Sequence, residues 1–223
     1  MSHEVFIRGF FEIMNWVKTH PIVKSLFPKY IWTVPDSPKK VYLTFDDGPI
    51  PDITEWVLDL LEKENIKATF FCIGDNIRKH PEIFQKVIAK GHSIGNHTYN
   101  HLNGWKNPTQ NYVRNFEECN KIIEEYGNPT KLFRPPYGKI KPSQAKIIRR
   151  SGYTIVMWDI ISYDFDVNTT PEECFQNVVK NTQNGSIIVF HDSIKAWPNL
   201  QLVLPKVIQE LKKQGVEFGK LNY

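Results

Sequence analysis

Cysteine is scarce. Cys72, Cys119 and Cys174 are the only three in 223 residues, no two form a Cys-x-x-Cys pair, and an odd number cannot close a disulfide framework. A zinc-finger or knottin architecture is excluded, and a reducing compartment is favoured. Long apolar runs are missing too. The most apolar early stretch, residues 5–17, is broken by Arg8 and Glu12 and lacks a small-residue cleavage site, so it reads as neither a secretory signal nor a spanning helix. The expected location is cytoplasmic or peripheral to a membrane. Charge of one sign is lacking as well: 28 Lys+Arg against 24 Asp+Glu leave a net +4, with no basic run long enough for a nucleic-acid arm. No repeat of fixed period and no low-complexity tract occurs. What is present, 41% hydrophobic and 23% charged residues, is the composition of a chain that folds around its own core, with a monomer as the default state.

One composition shift stands out, the proline-rich VPDSPKK of residues 34–40, which separates an N-terminal segment from the body of the chain. Phe6, Phe10, Ile13, Met14 and Val17 recur at roughly helical spacing, which predicts an N-terminal helical extension, residues 1–39, packed on the main domain, or a helix that lies on a membrane surface. From Lys40 onward short β-branched and aromatic runs alternate with helical patterns. Strands are predicted at 41–45 (VYLTF), 68–73 (ATFFCI), 93–96 (SIGN), 131–134 (KLFR), 153–158 (YTIVMW), 186–190 (SIIVF) and 216–218 (VEF). Between them, Asp52 with Glu55 and Thr170 with Glu173 read as helix starts, Pro81 as a first helical residue, and Gly91, Gly127, Gly152, Gly185 and Gly215 as helix ends. The alternation predicts an α/β fold on a buried parallel sheet. A barrel of β/α units and an open doubly wound sheet satisfy it equally.

The residues that a core would reject fall at the C-terminal ends of these strands. Asp46 and Asp47 follow the first, His97 and His101 the third, Arg134 ends the fourth, Asp159 and Asp164 follow the fifth, and His191 and Asp192 the sixth. That rim is where α/β folds place their chemistry. His97 and His101 converge either on one helix face or in a tight loop, and with Asp47 they supply two imidazoles and a carboxylate for one divalent metal ion. Zinc is the default, and cobalt, manganese or nickel fit the same ligands. Asp46, next to a ligand, is placed as the base that takes a proton from water, held by a bidentate contact from Arg134. His191 is the candidate acid, with Asp164 as the carboxylate that orients it. Tyr99, Trp105 and Tyr137 lie near this set and are candidates for stacking on a bound substrate, whereas Trp158, Cys72 and His92 read as structural.

TFDDGP (44–49), HTYNH (97–101), FRPPYG (133–138), WDIISYDF (158–165) and IIVFHD (187–192) occur in this order, and together they closely resemble the five motifs of the polysaccharide deacetylases, carbohydrate esterase family four. The resemblance covers residues 40–218 and makes 40–223 the catalytic domain. It implies a distorted (β/α)7 barrel, TIM-barrel-like, which hydrolyses an N-acetyl group from an amino sugar in a peptidoglycan-, chitin- or exopolysaccharide-like glycan. By the same resemblance, Asp46 is the base, Asp47, His97 and His101 are the metal ligands, His191 is the acid and Asp164 its partner. The backbone N–H of Tyr137 stabilises the oxyanion, and Val189 lines the pocket for the acetyl methyl group. Three positions depart from the family pattern: Phe165 stands where Trp is common, Leu102 where Pro is frequent, and Val189 is smaller than the usual Leu. These departures bear on pocket shape rather than on any ligand or proton carrier. An O-acetyl esterase or another amidohydrolase would use the same residues, and a silent glycan-binding module would have lost some of them.

Overall fold

The computed structural model describes residues 16–35, 37–127 and 130–223. Its centre is β1 (Lys40–Asp46), buried from Val41 onward and paired in parallel with β2 (Thr69–Cys72) on one side and β7 (Ile187–His191) on the other. β3 (Ser93–Asn96), β4 (Leu132–Phe133) and β5 (Thr154–Ile155) continue beyond β2, β6 (Ile160–Ile161) lies beyond β7, and β8 (Glu217–Gly219) pairs with the start of β1. Every pairing between these strands is parallel, and this explains why they are apolar on both faces. The result is the distorted barrel of parallel β/α units that the motif resemblance implies, not the open doubly wound sheet that the alternation also allowed. Helices α1 (Pro21–Leu26), α2 (Ile53–Lys63), α3 (Gly74–Lys79), α4 (Pro81–Ala89), α5 (Thr109–Glu125), α6 (Pro142–Arg150), α7 (Pro171–Val179) and α8 (Trp197–Lys213) cover the strands. Leu43, Phe45, Phe70 and Phe190, all essentially inaccessible, join Leu200, Leu204 and Ile208 of α8 in the main core.

Several local signals act as expected. Thr170 Oγ1 accepts from Glu173 N at 3.2 Å and Thr170 N donates to Glu173 Oε2 at 2.8 Å, so two orphan donors of α7 are satisfied reciprocally. Pro81 opens α4. Gly185 combines a φ of +79° with a site where a Cβ would fall 2.1 Å from Val34 O, so only glycine fits there.

The strand predicted at 153–158 is a correction: it is two strands. The chain leaves the sheet after Ile155 and returns at Ile160, and no pairing joins β5 to β6. Hydropathy cannot reveal this, because residues 156–157 stay buried after the strand ends. The backbone of the N-terminal segment runs alongside. Ile31 N donates to Ile155 O at 2.9 Å and Met157 N to Ile31 O at 2.7 Å, along the edge of β5. Thr19 N donates to Asp159 O at 2.7 Å and Ile161 N to Val17 O at 2.9 Å, along β6. Residues 16–35 therefore fill the gap in the barrel wall, with α1 as the one short helix among them. The helix predicted from the 6–17 periodicity lies outside the described residues except at Trp16 and Val17, which are not helical. Among the described residues no helix is long and apolar enough to cross a membrane.

Asp159, one of the rim carboxylates, serves this junction. It is 1% exposed and is met by Lys18 Nζ at 3.1 Å, by Lys24 Nζ and by Ser186 Oγ at 2.6 Å. Its charge is compensated within the wall and takes no part in the site.

Candidate active site

The TFDDGP segment runs off the end of β1 into a turn, and Asp47, at φ 86°, swings its carboxylate across the barrel mouth. The HTYNH segment leaves β3 as a loop, which resolves the helix-or-loop alternative. Thr98 and His101 take φ values of 62° and 55°, and the buried Asn115 of α5 holds the loop by accepting from Tyr99 N and Asn100 N at 2.9 and 3.0 Å. Left-handed backbone at non-glycine residues is uncommon and tends to mark places where side-chain placement outweighs strain. Here it brings Asp47, His97 and His101 together, with one ligand atom from each lying within 4.8 Å of the others. Asp47 Oδ1 is 3.7 Å from His97 Nε2 and 3.3 Å from His101 Nε2.

These three residues fit a divalent metal ion. His97 Nδ1 is 2.7 Å from Arg134 O. A carbonyl only accepts, so Nδ1 carries the proton and the Nε2 lone pair faces Asp47. His101 Nδ1 is 3.1 Å from Tyr137 Oη, and the two rings lie 4.6 Å apart, tilted by 57°. Burial pushes both imidazoles below their ordinary pKa, His97 well below it with help from His101, so both are neutral. Asp47 Oδ1 is buried and has no hydrogen-bond partner. With His101 in the tautomer that donates from Nδ1 to the Tyr137 hydroxyl, three electron-pair donors face one another with no proton between them, a cluster that a cation stabilises.

Asp46 and His191 are register partners across β1 and β7, so the parallel pairing itself seats the two residues side by side. Arg134, wholly inaccessible, donates from Nη1 to Asp46 Oδ1 at 2.6 Å and to Thr44 Oγ1 at 2.7 Å. The expected bidentate contact is absent. The rest of the guanidinium fork goes to Met157 O at 2.9 Å and Val156 O at 3.4 Å, carbonyls stranded where β5 ends. The guanidinium also lies 4.1 Å from the centre of the Phe71 ring. His191 Nδ1 is 2.8 Å from Asp164 Oδ1, and His191 N donates to Asp164 Oδ2 at 2.7 Å. Burial would lower the His191 pKa, but Asp164, Asp47 and Asp46 outweigh it and push the imidazole up to about 9.

Asp192, placed at the rim by the sequence without a role, is fully buried; it accepts from Gly48 N at 3.1 Å and from Thr54 Oγ1 at 2.6 Å, and burial pushes its carboxyl up to about 8. It pins the turn that carries Asp47 to the start of α2. Gly48 has no substitute there, because a Cβ would fall 2.0 Å from Asp192 Oδ2.

A cleft of about 650 Å³ opens over these residues, in the range that takes small ligands. Val189 forms part of its floor, and Phe165, edge-on to His191 at 4.8 Å, part of its wall. Tyr137 lines it with a side chain 58% exposed. Two expectations fail. Tyr99 turns away, packing on the main core with its hydroxyl accepting from Arg78 Nε at 3.0 Å. Trp105 donates from Nε1 to Ile140 O at 3.2 Å and lies under Lys139. Neither faces the cleft. Trp158, expected in the core, is half-buried and lines the cleft as well as packing on core residues. His92 is structural: its Nδ1 accepts from Ala68 N at 3.1 Å, and burial, with Lys67, Lys220 and Lys90 nearby, pushes it down to about 4.

The sequence matches the polysaccharide deacetylase family over residues 33–156. It is similar to two peptidoglycan-N-acetylglucosamine deacetylases of Bacillus cereus. One is 37% identical over 188 residues, spanning 84% of this chain and 88% of that protein. The other is 33% identical over 216 residues, spanning 96% and 75%. Among solved structures, the Bc1960 peptidoglycan N-acetylglucosamine deacetylase superposes with a TM-score of 0.80 at 32% identity, covering 91% of this chain and 95% of that one. With five ordered motifs meeting at one barrel mouth and relatives matching over most of their length, the chain belongs to the polysaccharide deacetylase family, carbohydrate esterase family four.

Proposed function

We propose that this protein removes N-acetyl groups from N-acetylglucosamine units of a glycan, with peptidoglycan as the polymer and zinc as the metal. The observation that carries the reading is the placement of Asp46 and His191, register partners on adjacent strands, at the same strand-end rim as the Asp47–His97–His101 set. The polymer is supported by the names of the similar Bacillus cereus proteins, and zinc by a ligand set of two imidazoles and one carboxylate.

A divalent ion bound by this set supplies Lewis acidity toward the amide carbonyl and the attacking water. The protein's own groups move the protons. Asp46, fixed by Arg134, takes a proton from water as its oxygen bonds to the acetyl carbon. Negative charge gathers on the carbonyl oxygen, where the Tyr137 N–H donates to it. His191 then gives its proton to the amide nitrogen, the C–N bond breaks, and acetate and a free amine leave. Val189 and Phe165 bound the space for the methyl group.

The test is acetate release from peptidoglycan fragments, chitooligosaccharides and acetylxylan, using metal-stripped and zinc-restored protein. Zinc-dependent release from the first, exceeding the other two, supports the reading; release from acetylxylan alone overturns it.

Proton donation from His191 also predicts a pH dependence. The acid form is the active one, so kcat/KM falls as pH rises through the His191 pKa. Asp164→Asn removes the largest of the charges that counteract burial, so burial is less opposed and the pKa falls. The alkaline limb is expected to move to lower pH, and a limb that stays in place contradicts the assignment.

A further inference from the structure

The cleft has a wall that does not come from the strand-end motifs. Trp16, Thr19 and Trp32 line it, all upstream of the family match that begins at residue 33. We infer that the N-terminal segment is part of the substrate-binding surface, with Trp16 as a specificity-determining residue that takes the apolar face of a second sugar ring in an N-acetylated chain. This rests on the deacetylase reading and narrows its substrate to an oligomer.

The segment is held firmly enough for this. Its backbone is hydrogen-bonded to both ragged edges of the barrel, and its lysines Lys18 and Lys24 pair with the buried Asp159. Thr19 Oγ1 donates to Trp158 O at 2.8 Å, tying the segment to the wall residue opposite β7. Trp32, only 5% exposed, donates from Nε1 to Phe27 O at 3.1 Å and acts as a brace behind the cleft. Trp16 differs: half-buried, it packs on the buried cluster that includes Val23, Trp32 and Met157 and leaves part of its indole to the cleft that Trp158 also lines. Ile161, Tyr163 and Phe165 extend the same wall from β6 toward His191. An acetamido group over the metal set uses Val189 and Phe165, which leaves Trp16 and Trp158 in the same cleft for a neighbouring sugar. Flat aromatic faces suit the C–H face of a pyranose and carry no charge preference.

The test compares wild type, Trp16→Ala and Trp16→Phe on the N-acetylglucosamine tetramer and on muropeptides, with thermal midpoints measured alongside. Trp16→Ala is expected to raise KM about tenfold with kcat within about twofold, and Trp16→Phe to recover most of the difference. A purely structural role would instead lower kcat and the thermal midpoint together. The same tetramer titrated by calorimetry into Asp46→Asn, with and without Trp16→Ala, gives a readout free of turnover, and about tenfold weaker binding is expected. Unchanged KM and unchanged binding overturn the inference while leaving the deacetylase reading intact. A wild-type enzyme that releases no acetate from either glycan overturns that reading and this inference with it.

Discussion

Asp46→Asn is expected to lower kcat for acetate release by about 10²–10⁴-fold, the usual contribution of a positioned base, while metal content stays at the wild-type level. The two halves of the expectation have separate causes. Asp46 Oδ1 is engaged by Arg134, and Oδ2 lies 3.9 Å from His97 Nε2, farther than Asp47 Oδ1 does. Asparagine keeps the shape and can still meet Arg134 through its carbonyl oxygen, but it has no second lone-pair oxygen with the basicity to take a proton. His97→Ala makes the opposite cut. It deletes one of three ligand atoms and leaves Asp46, Arg134 and His191 in place, so metal content and activity are expected to fall together. Metal analysis and acetate release on the two variants settle the division of labour. Full activity in Asp46→Asn, or full metal content in His97→Ala, contradicts it.

Arg134→Ala is expected to destabilise the fold by about 3–5 kcal/mol, the range seen when one partner of a buried ion pair is removed, with activity lost as well. The guanidinium is inaccessible and serves four acceptors: Asp46, Thr44 and the carbonyls of Val156 and Met157. Truncation leaves a buried carboxylate without its cation and two carbonyls without donors, beside a cavity the size of the longest fully buried side chain in the core. Arg134→Lys is not expected to rescue, since one ammonium cannot span acceptors that the planar fork reaches on several sides. Urea unfolding of the three proteins checks this. A midpoint for Arg134→Ala close to wild type contradicts the network.

The parts legible in the sequence share a cause. Strand ends in a parallel sheet all face one rim, so polar residues placed after apolar runs identify the site before any distance is known. Asp46, Asp47, His97, His101, Arg134, Asp164 and His191 all meet there. Three things stayed hidden because they depend on direction rather than on sequence position. Tyr99 and Trp105 sit near the motifs in the chain, yet the left-handed turns at Thr98 and His101 rotate the loop so that Tyr99 faces Arg78. Asp192 follows His191 directly, and alternation along the strand sends it to the opposite face, toward Gly48. The gap between β5 and β6, and the use of residues 16–35 to fill it, left no periodic trace, because a segment of single bridges has no alternation to read. Asp159 offered the one usable signal: a carboxylate at a strand end with no metal or acid partner in its motif, balanced by Lys18 and Lys24 far upstream.

The central claim is that Asp47, His97 and His101 share one divalent ion beside Asp46 and His191. Anomalous diffraction at the zinc edge, from crystals grown with zinc, tests it most directly. One peak is expected at about 2.0–2.2 Å from Asp47 Oδ1, His97 Nε2 and His101 Nε2, the ordinary range for zinc bound by carboxylate oxygen and imidazole nitrogen. No peak among these three atoms, or a peak bound elsewhere on the barrel, contradicts the account.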